Sequence, residues 1–86
     1  MNEGKLREDI TRGAKAEQLL KNELLDEAFG RLEINYLDII KNSDLTQVEL
    51  RENAYKLIRS LSTLRGHLES VVETGKLASK TLEDVE

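Results

Sequence analysis

The chain has 86 residues, enough for one domain, and a domain this small buries only about 60% of the surface its unfolded form exposes. It has no cysteine and one histidine, His67, which excludes disulfides and thiolate metal sites and agrees with a reducing compartment. Charged residues of both signs make up 35% of the chain and the net charge is −4, which is typical of a solvated helical surface and not of a strongly basic nucleic-acid binder.

The absence of proline and the abundance of Leu, Glu, Lys and Ala predict an all-α protein. Residues 1–12 are a polar arm, which is either disordered or a short extra turn of helix. From residue 14 to about residue 41, apolar residues recur at steps of three and four, which predicts a first helix over this range. Its apolar face comprises Leu24, Leu25, Ala28, Phe29, Leu32, Tyr36, Ile39 and Ile40.

The connection to a second helix is predicted at residues 41–46. Thr46 and Glu49 match the capping box, in which the Thr46 side chain accepts from the Glu49 N–H and Glu49 reaches back. Leu45 and Leu50 flank the cap and are placed as a hydrophobic staple. Two motifs therefore indicate the same helix start.

The second helix is predicted over residues 47–74, with Gly75 as its C-terminal cap. Its apolar residues alternate steps of four and three, which is the heptad pattern of a coiled-coil seam. This predicted seam comprises Leu50, Ala54, Leu57, Leu61, Leu64, Leu68 and Val71. The fold class is thus an antiparallel two-helix hairpin over residues 13–75, and the tail 76–86 is either a short third helix or a frayed end.

A lone hairpin covers only part of each apolar stripe. Ile34 and Leu37 lie on the back of the first helix, with Gly30 beside them. They are either scattered surface residues, which are common, or a contact with another subunit or a protein partner. Glycine inside a helix costs about 1 kcal/mol unless close approach repays it, which favours the contact.

The second helix also has a local excess of cations, because no acidic residue occurs between Asn53 and Leu68. Lys56, Arg59 and Arg65 are therefore candidate phosphate contacts, the alternative being a solvated face paired with acids of the first helix. His67 is expected to be a surface or partly buried residue and not a catalytic base. No motif for a cofactor, a metal or a small-molecule substrate is present, so we expect no enzyme.

No apolar run approaches the roughly 20 residues that a membrane span requires. The first ten residues contain no apolar region typical of a secretory signal. The expected location is therefore the cytoplasm, with no membrane partner.

Four segments carry a resemblance to a known group of proteins: residues 13–20 (GAKAEQLL), residues 24–32 (LLDEAFGRL) with Tyr36, residues 67–72 (HLESVV) and residues 75–78 (GKLA). Together they resemble small helical proteins encoded in tailed-phage and prophage genomes. Most such proteins have no assigned activity, and some of this size are DNA-packaging subunits that form rings. The resemblance implies a host-cytoplasm or virion location. This chain departs from packaging subunits in lacking a helix-turn-helix segment before its hairpin.

These observations support three hypotheses. The first is a non-enzymatic helical assembly or adaptor protein that acts by self-association or by binding a protein partner. The second is a nucleic-acid-binding subunit for DNA packaging, similar to a small terminase, or for regulation. The third is an inhibitor of a host protein, with the acidic face of the first helix as the contact surface.

Overall fold

The computed structural model describes residues 2–85. Three α-helices account for nearly all of this range: α1 (Glu3–Leu20), α2 (Glu23–Asn42) and α3 (Val48–Val85). No β-strand occurs among the described residues, so the predicted all-α class is confirmed. None of the helices in this range is long and apolar enough to cross a membrane.

The predicted polar arm is helical, because α1 already begins at Glu3. The Asn2 side chain caps it by accepting a hydrogen bond of 3.0 Å from the backbone N–H of Lys5. One turn later, Lys5 and Asp9 form an ion pair at 3.0 Å. These local interactions compensate for the polar composition that suggested an unstructured arm, and Gly13 lies inside α1.

The predicted first helix over residues 14–41 is interrupted between α1 and α2. The chain tightens at the end of α1, where the Lys21 N–H bonds to the Glu17 carbonyl and the Asn22 N–H bonds to the Leu19 carbonyl, at 3.0 and 3.1 Å. α2 then starts at Glu23, whose negative charge suits the positive end of a helix dipole. The break contains neither glycine nor proline, and its one sequence signal is Asn22, a residue type favoured directly before a helix.

Two compact units make up the structure, and α3 contributes to both. The glycine unit consists of the residues up to Asn22 together with those from Arg65 onward; the hairpin unit is residues 23–64. The hairpin unit is the predicted antiparallel hairpin, formed by α2 and the first part of α3. The additional helix is α1, at the N-terminus, whereas residues 76–85 are the end of α3.

Gly75 does not cap a helix, because α3 continues to Val85 and no glycine among the described residues has a positive φ. Gly75 lies at a close crossing of two helices. A methyl group built on Gly13 would lie 2.9 Å from the Gly75 Cα, and one built on Gly75 would lie 2.9 Å from the Asp9 carbonyl oxygen. The two backbones therefore touch in the glycine unit, and α1 runs antiparallel to this part of α3.

The core of the glycine unit surrounds this crossing. Its buried apolar side chains are Ala16, Val72, Ala78 and Leu82. Two of the four are alanines, which agrees with the short distance between the helices. In the hairpin unit Phe29 on α2 and Ala54 on α3 are buried, at 8% and 3% exposure.

The turn of the hairpin unit differs from the predicted capping box. The Asp44 carboxylate accepts from the Thr46 backbone N–H at 2.8 Å and from the Thr46 hydroxyl. The Gln47 side chain reaches back and accepts from the Asp44 N–H at 3.0 Å, and α3 begins at Val48. A carboxylate is a strong acceptor, so it takes both Thr46 donors. The predicted staple is also wrong, since Leu45 is 91% exposed.

Arg51 holds this turn from one helical turn inside α3. Its guanidinium donates to the Ser43 hydroxyl at 3.3 Å and to the Asp44 carbonyl. The Thr46 hydroxyl, the Thr46 and Gln47 backbone groups and the Arg51 charge together lower the pKa of Asp44. The charged form of Asp44 is therefore part of the turn.

Replacing either glycine of the crossing by alanine should destabilise the protein, because the added methyl group meets backbone atoms. We expect Gly13→Ala and Gly75→Ala each to lower the free energy of unfolding by about 1–3 kcal/mol. Gly66→Ala and Gly30→Ala are matched controls in open space, where alanine should add about 0.5–1 kcal/mol through helix propensity. Urea denaturation followed by circular dichroism measures all four. A gain of stability in Gly13→Ala would contradict the crossing.

The turn should contribute stability that depends on pH. Because the folded-state pKa of Asp44 is lowered, its contribution is present above the unfolded pKa of about 3.9 and is lost as the pH falls through the lower folded value. We expect Asp44→Asn to melt below wild type at pH 7, and the difference to shrink as the pH falls below about 4. Thermal melts across this range measure it. An identical melting temperature at pH 7 would show that the carboxylate charge is not needed.

Candidate interaction surface

Three of the seven residues of the predicted seam are exposed, and all three lie in the hairpin unit, whereas Leu68 and Val71 are half-buried in the glycine unit. Leu50, Leu57 and Leu64 are exposed at 44%, 45% and 50%, whereas Ala54 is buried and Leu61 is half-buried. The prediction is therefore correct for the positions Ala54 and Leu61 and wrong for the three leucines between and around them.

Helical geometry explains the difference. Each residue advances by about 100°, so Ala54, Ile58 and Leu61 lie within about 60° of one another, with Leu57 about 60° to one side of Ala54. Ile58 and Leu61 are both half-buried, as expected for residues that face α2. Because Ala54 is small, the α2 backbone can approach at this position, and the larger leucines are left on the flank.

Two apolar residues of α2 lie on the same side of the hairpin as these leucines. Leu32 and Ile39 are 39% and 37% exposed. Phe29 and Tyr36 mark the side of α2 that faces α3. When α2 is viewed from its N-terminus, Leu32 and Ile39 lie counterclockwise of that side. On α3, Leu57 likewise lies counterclockwise of the packed Ala54 when that helix is viewed from its own N-terminus. In an antiparallel pair, equal offsets in the same rotational sense fall on one side of the hairpin.

We call this side the leucine face. It contains no charged residue, whereas about three of nine would be expected in a chain that is 35% charged. Its residues alternate steps of four and three on each helix. They are Ala28, Leu32, Asn35 and Ile39 on α2, and Leu50, Asn53, Leu57, Ser60 and Leu64 on α3.

Charged residues lie along the edges of the leucine face. On α2 the Arg31 guanidinium pairs with the Glu27 carboxylate at 3.2 Å, and both side chains are exposed. On α3, the next positions around the helix are Glu49 and Lys56, which are also exposed. The face is thus an uncharged band with a charged rim.

The contact residues predicted from the sequence lie elsewhere on α2. Ile34 and Leu37 are 58% and 50% exposed, and Gly30 is half-buried with open space where a Cβ would be. They point to the back of α2 and to the side opposite the leucine face. Both large side chains are accessible, and their role in a contact stays a prediction.

The three cations predicted as phosphate contacts do not share one surface. Lys56 and Arg59 are exposed in the hairpin unit. Arg65 belongs to the glycine unit, is half-buried and lies in the direction of Ala54 and Ile58 around α3, that is, on the packed side of the helix. Only two of the three are therefore available to a phosphate together.

His67 is exposed and lines a shallow hollow of about 210 Å³ in the glycine unit. The polar groups around it are Asp9, Arg12, Ser70 and Thr74. Asp9 is already paired with Lys5. Within residues 2–85, no three His, Asp or Glu side chains are grouped so that they could hold a metal ion.

No protein-family model, no curated protein and no solved structure matches the chain. Its function must therefore be argued from its own residues. Among these, the leucine face brings several exposed apolar side chains together without a charged residue.

Truncation of neighbouring leucines should distinguish the packed side of α3 from the leucine face. We expect Leu61→Ala to lower the free energy of unfolding by about 2 kcal/mol and Leu57→Ala by less than about 1 kcal/mol. Denaturation at low protein concentration keeps any association from contributing. Equal losses would show that Leu57 is packed as tightly as Leu61.

Proposed function

We propose that this protein is a non-enzymatic helical assembly or adaptor protein that acts through self-association or by binding a protein partner. The observation that carries the proposal is the leucine face, on which apolar side chains remain 37–50% exposed with no charge among them. Monomeric proteins rarely leave contiguous apolar patches larger than a few hundred Å² uncovered.

The size of the face supports this function. Leu50 to Leu64 spans 14 residue steps, or about 21 Å of helix, and two helices side by side are about 20 Å wide. This side of the hairpin therefore has a projected area of about 400 Å², of which Asn35, Asn53 and Ser60 contribute a polar part. Its exposed apolar side chains lose contact with water when a partner helix covers them.

The sequence resemblance to small tailed-phage proteins supports the same class of function. Residues 24–32 carry part of that resemblance, and they form the start of α2 in the hairpin unit. A phage-encoded assembly protein would act in the host cytoplasm or in the virion. Association of helices needs neither a cofactor nor a catalytic group.

A second candidate is nucleic-acid binding, as in a DNA-packaging subunit. It is supported by the exposed Lys56 and Arg59 in a stretch of α3 that has no acidic residue. The half-buried position of Arg65 removes the third cation from that surface, and the net charge of −4 opposes approach to DNA. We therefore rank it below assembly.

Light scattering coupled to size-exclusion chromatography tests both candidates. We expect a mass above that of one chain at tens of micromolar protein. When a DNA duplex is added at about 50 mM salt, we expect the protein and the duplex to elute separately. A monomer that also recovers no partner in a pull-down would refute the assembly proposal. A complex with the duplex that dissociates as salt rises would favour the second candidate.

A further inference from the structure

We infer that the leucine face is covered by a second copy of this chain, so that two hairpin units pack face to face as four helices. The inference rests on the proposed function and deepens it by naming the partner and the surface. Three properties of the face point to a second copy: its lack of charge, the spacing of its residues and its asparagines.

Charge is the first property. Burying an unpaired charge is costly, so a partner for an uncharged face should bring no charge into the contact. The same face of a second copy meets this condition, since none of its nine residues is charged. Two-fold symmetry places the same patch on both subunits, and a patch without charge cannot repel itself.

Spacing is the second property. The residues of the face on α3 alternate steps of three and four from Leu50 to Leu64, as knobs in a helical bundle do. The residues on α2 follow the same alternation from Ala28 to Ile39. Two such surfaces can interlock along their whole length, which a flat or irregular partner cannot achieve.

The asparagines of the face are the third property. Asn35 on α2 and Asn53 on α3 are both exposed, and each lies between two large apolar residues of the face on its own helix. A carboxamide carries donors and an acceptor, so it can pair with another carboxamide. In helical bundles a buried asparagine among leucines selects register and partner number. These residues would therefore set which copy-to-copy alignment is preferred.

The opposite side of the hairpin does not have these properties. Leu37 is 50% exposed, but the residues one turn before and after it on α2 are Glu33 and Lys41. A second copy that covered Leu37 would have to bury or displace these charges. Leu57, in contrast, has Asn53 and Leu61 at the positions one turn away.

Leu57→Glu and Leu37→Glu form a matched pair of variants, because the two leucines are 45% and 50% exposed and so tolerate a polar side chain in the free hairpin. We expect wild type to be dimeric in sedimentation equilibrium. Leu57→Glu should raise the dimer dissociation constant at least about 100-fold, since each interface would bury two carboxylates. Leu37→Glu should leave it unchanged, and circular dichroism checks that both variants are helical.

Cysteine protection gives a second measurement that does not depend on introducing a charge. The chain has no cysteine, so Ser60→Cys places a single thiol on the leucine face and Ser62→Cys places one off it. Alkylation of the thiol in the Ser60→Cys variant should slow as protein concentration rises, whereas alkylation in the Ser62→Cys variant should not. Equal rates at all concentrations would contradict the inference.

The outcomes separate this inference from the broader proposal. A wild-type chain that stays monomeric at hundreds of micromolar, or a dimer that Leu37→Glu and not Leu57→Glu dissociates, overturns the inference. If the monomer co-purifies with a different protein and Leu57→Glu abolishes that complex, the assembly proposal stands with another partner. A dimer sensitive only to Leu57→Glu supports both.

Discussion

Small residues along α3 decide which of its apolar side chains are buried. In the hairpin unit Ala54 is the most buried residue of α3, and in the glycine unit Gly75 touches the backbone of α1. A helix can approach another closely only where side chains are small, and the larger side chains then lie beside the line of approach. The exposure of Leu50, Leu57 and Leu64 follows from this constraint.

This constraint also explains how far sequence reasoning could go. The all-α class and the hairpin turn near residue 44 follow from composition, helical periodicity and the polar residues of the connection. The sequence does not show which side of α3 faces α2. Two stripes of residues about 60° apart around α3 both fit a heptad pattern. The packed residues of α3 include Arg65 and Gly75, which a criterion based on hydrophobicity rejects. A partly buried arginine can lay its aliphatic stem along an apolar surface, and a glycine can mark a crossing as well as a cap.

Helix ends were harder to predict than helices because single hydrogen bonds determine them. One carboxylate, Asp44, competes successfully for the donors of Thr46 and so prevents the capping box. One amide, Asn2, starts α1 at residues that look unstructured by composition. The break at Lys21 and Asn22 has no residue that forbids a helix. In each case one or two local hydrogen bonds decide the end of the helix, and differences in helix propensity among ordinary residues are too small to predict them.

The sequence indicates the apolar residues of the candidate surface on α3, but their spacing predicts that they are buried between the helices. Leu50, Leu57 and Leu64 belong to the seam predicted from the sequence, and the uncharged Asn53 and Ser60 lie beside them on α3. In the structure, these five residues of α3 together form its part of the leucine face. The hairpin unit has few well-buried side chains, with only Phe29 and Ala54 below a tenth exposed among its described apolar residues. Covering the leucine face would therefore add to a small core as well as make a contact, and association and folding stability would be linked through the same leucines.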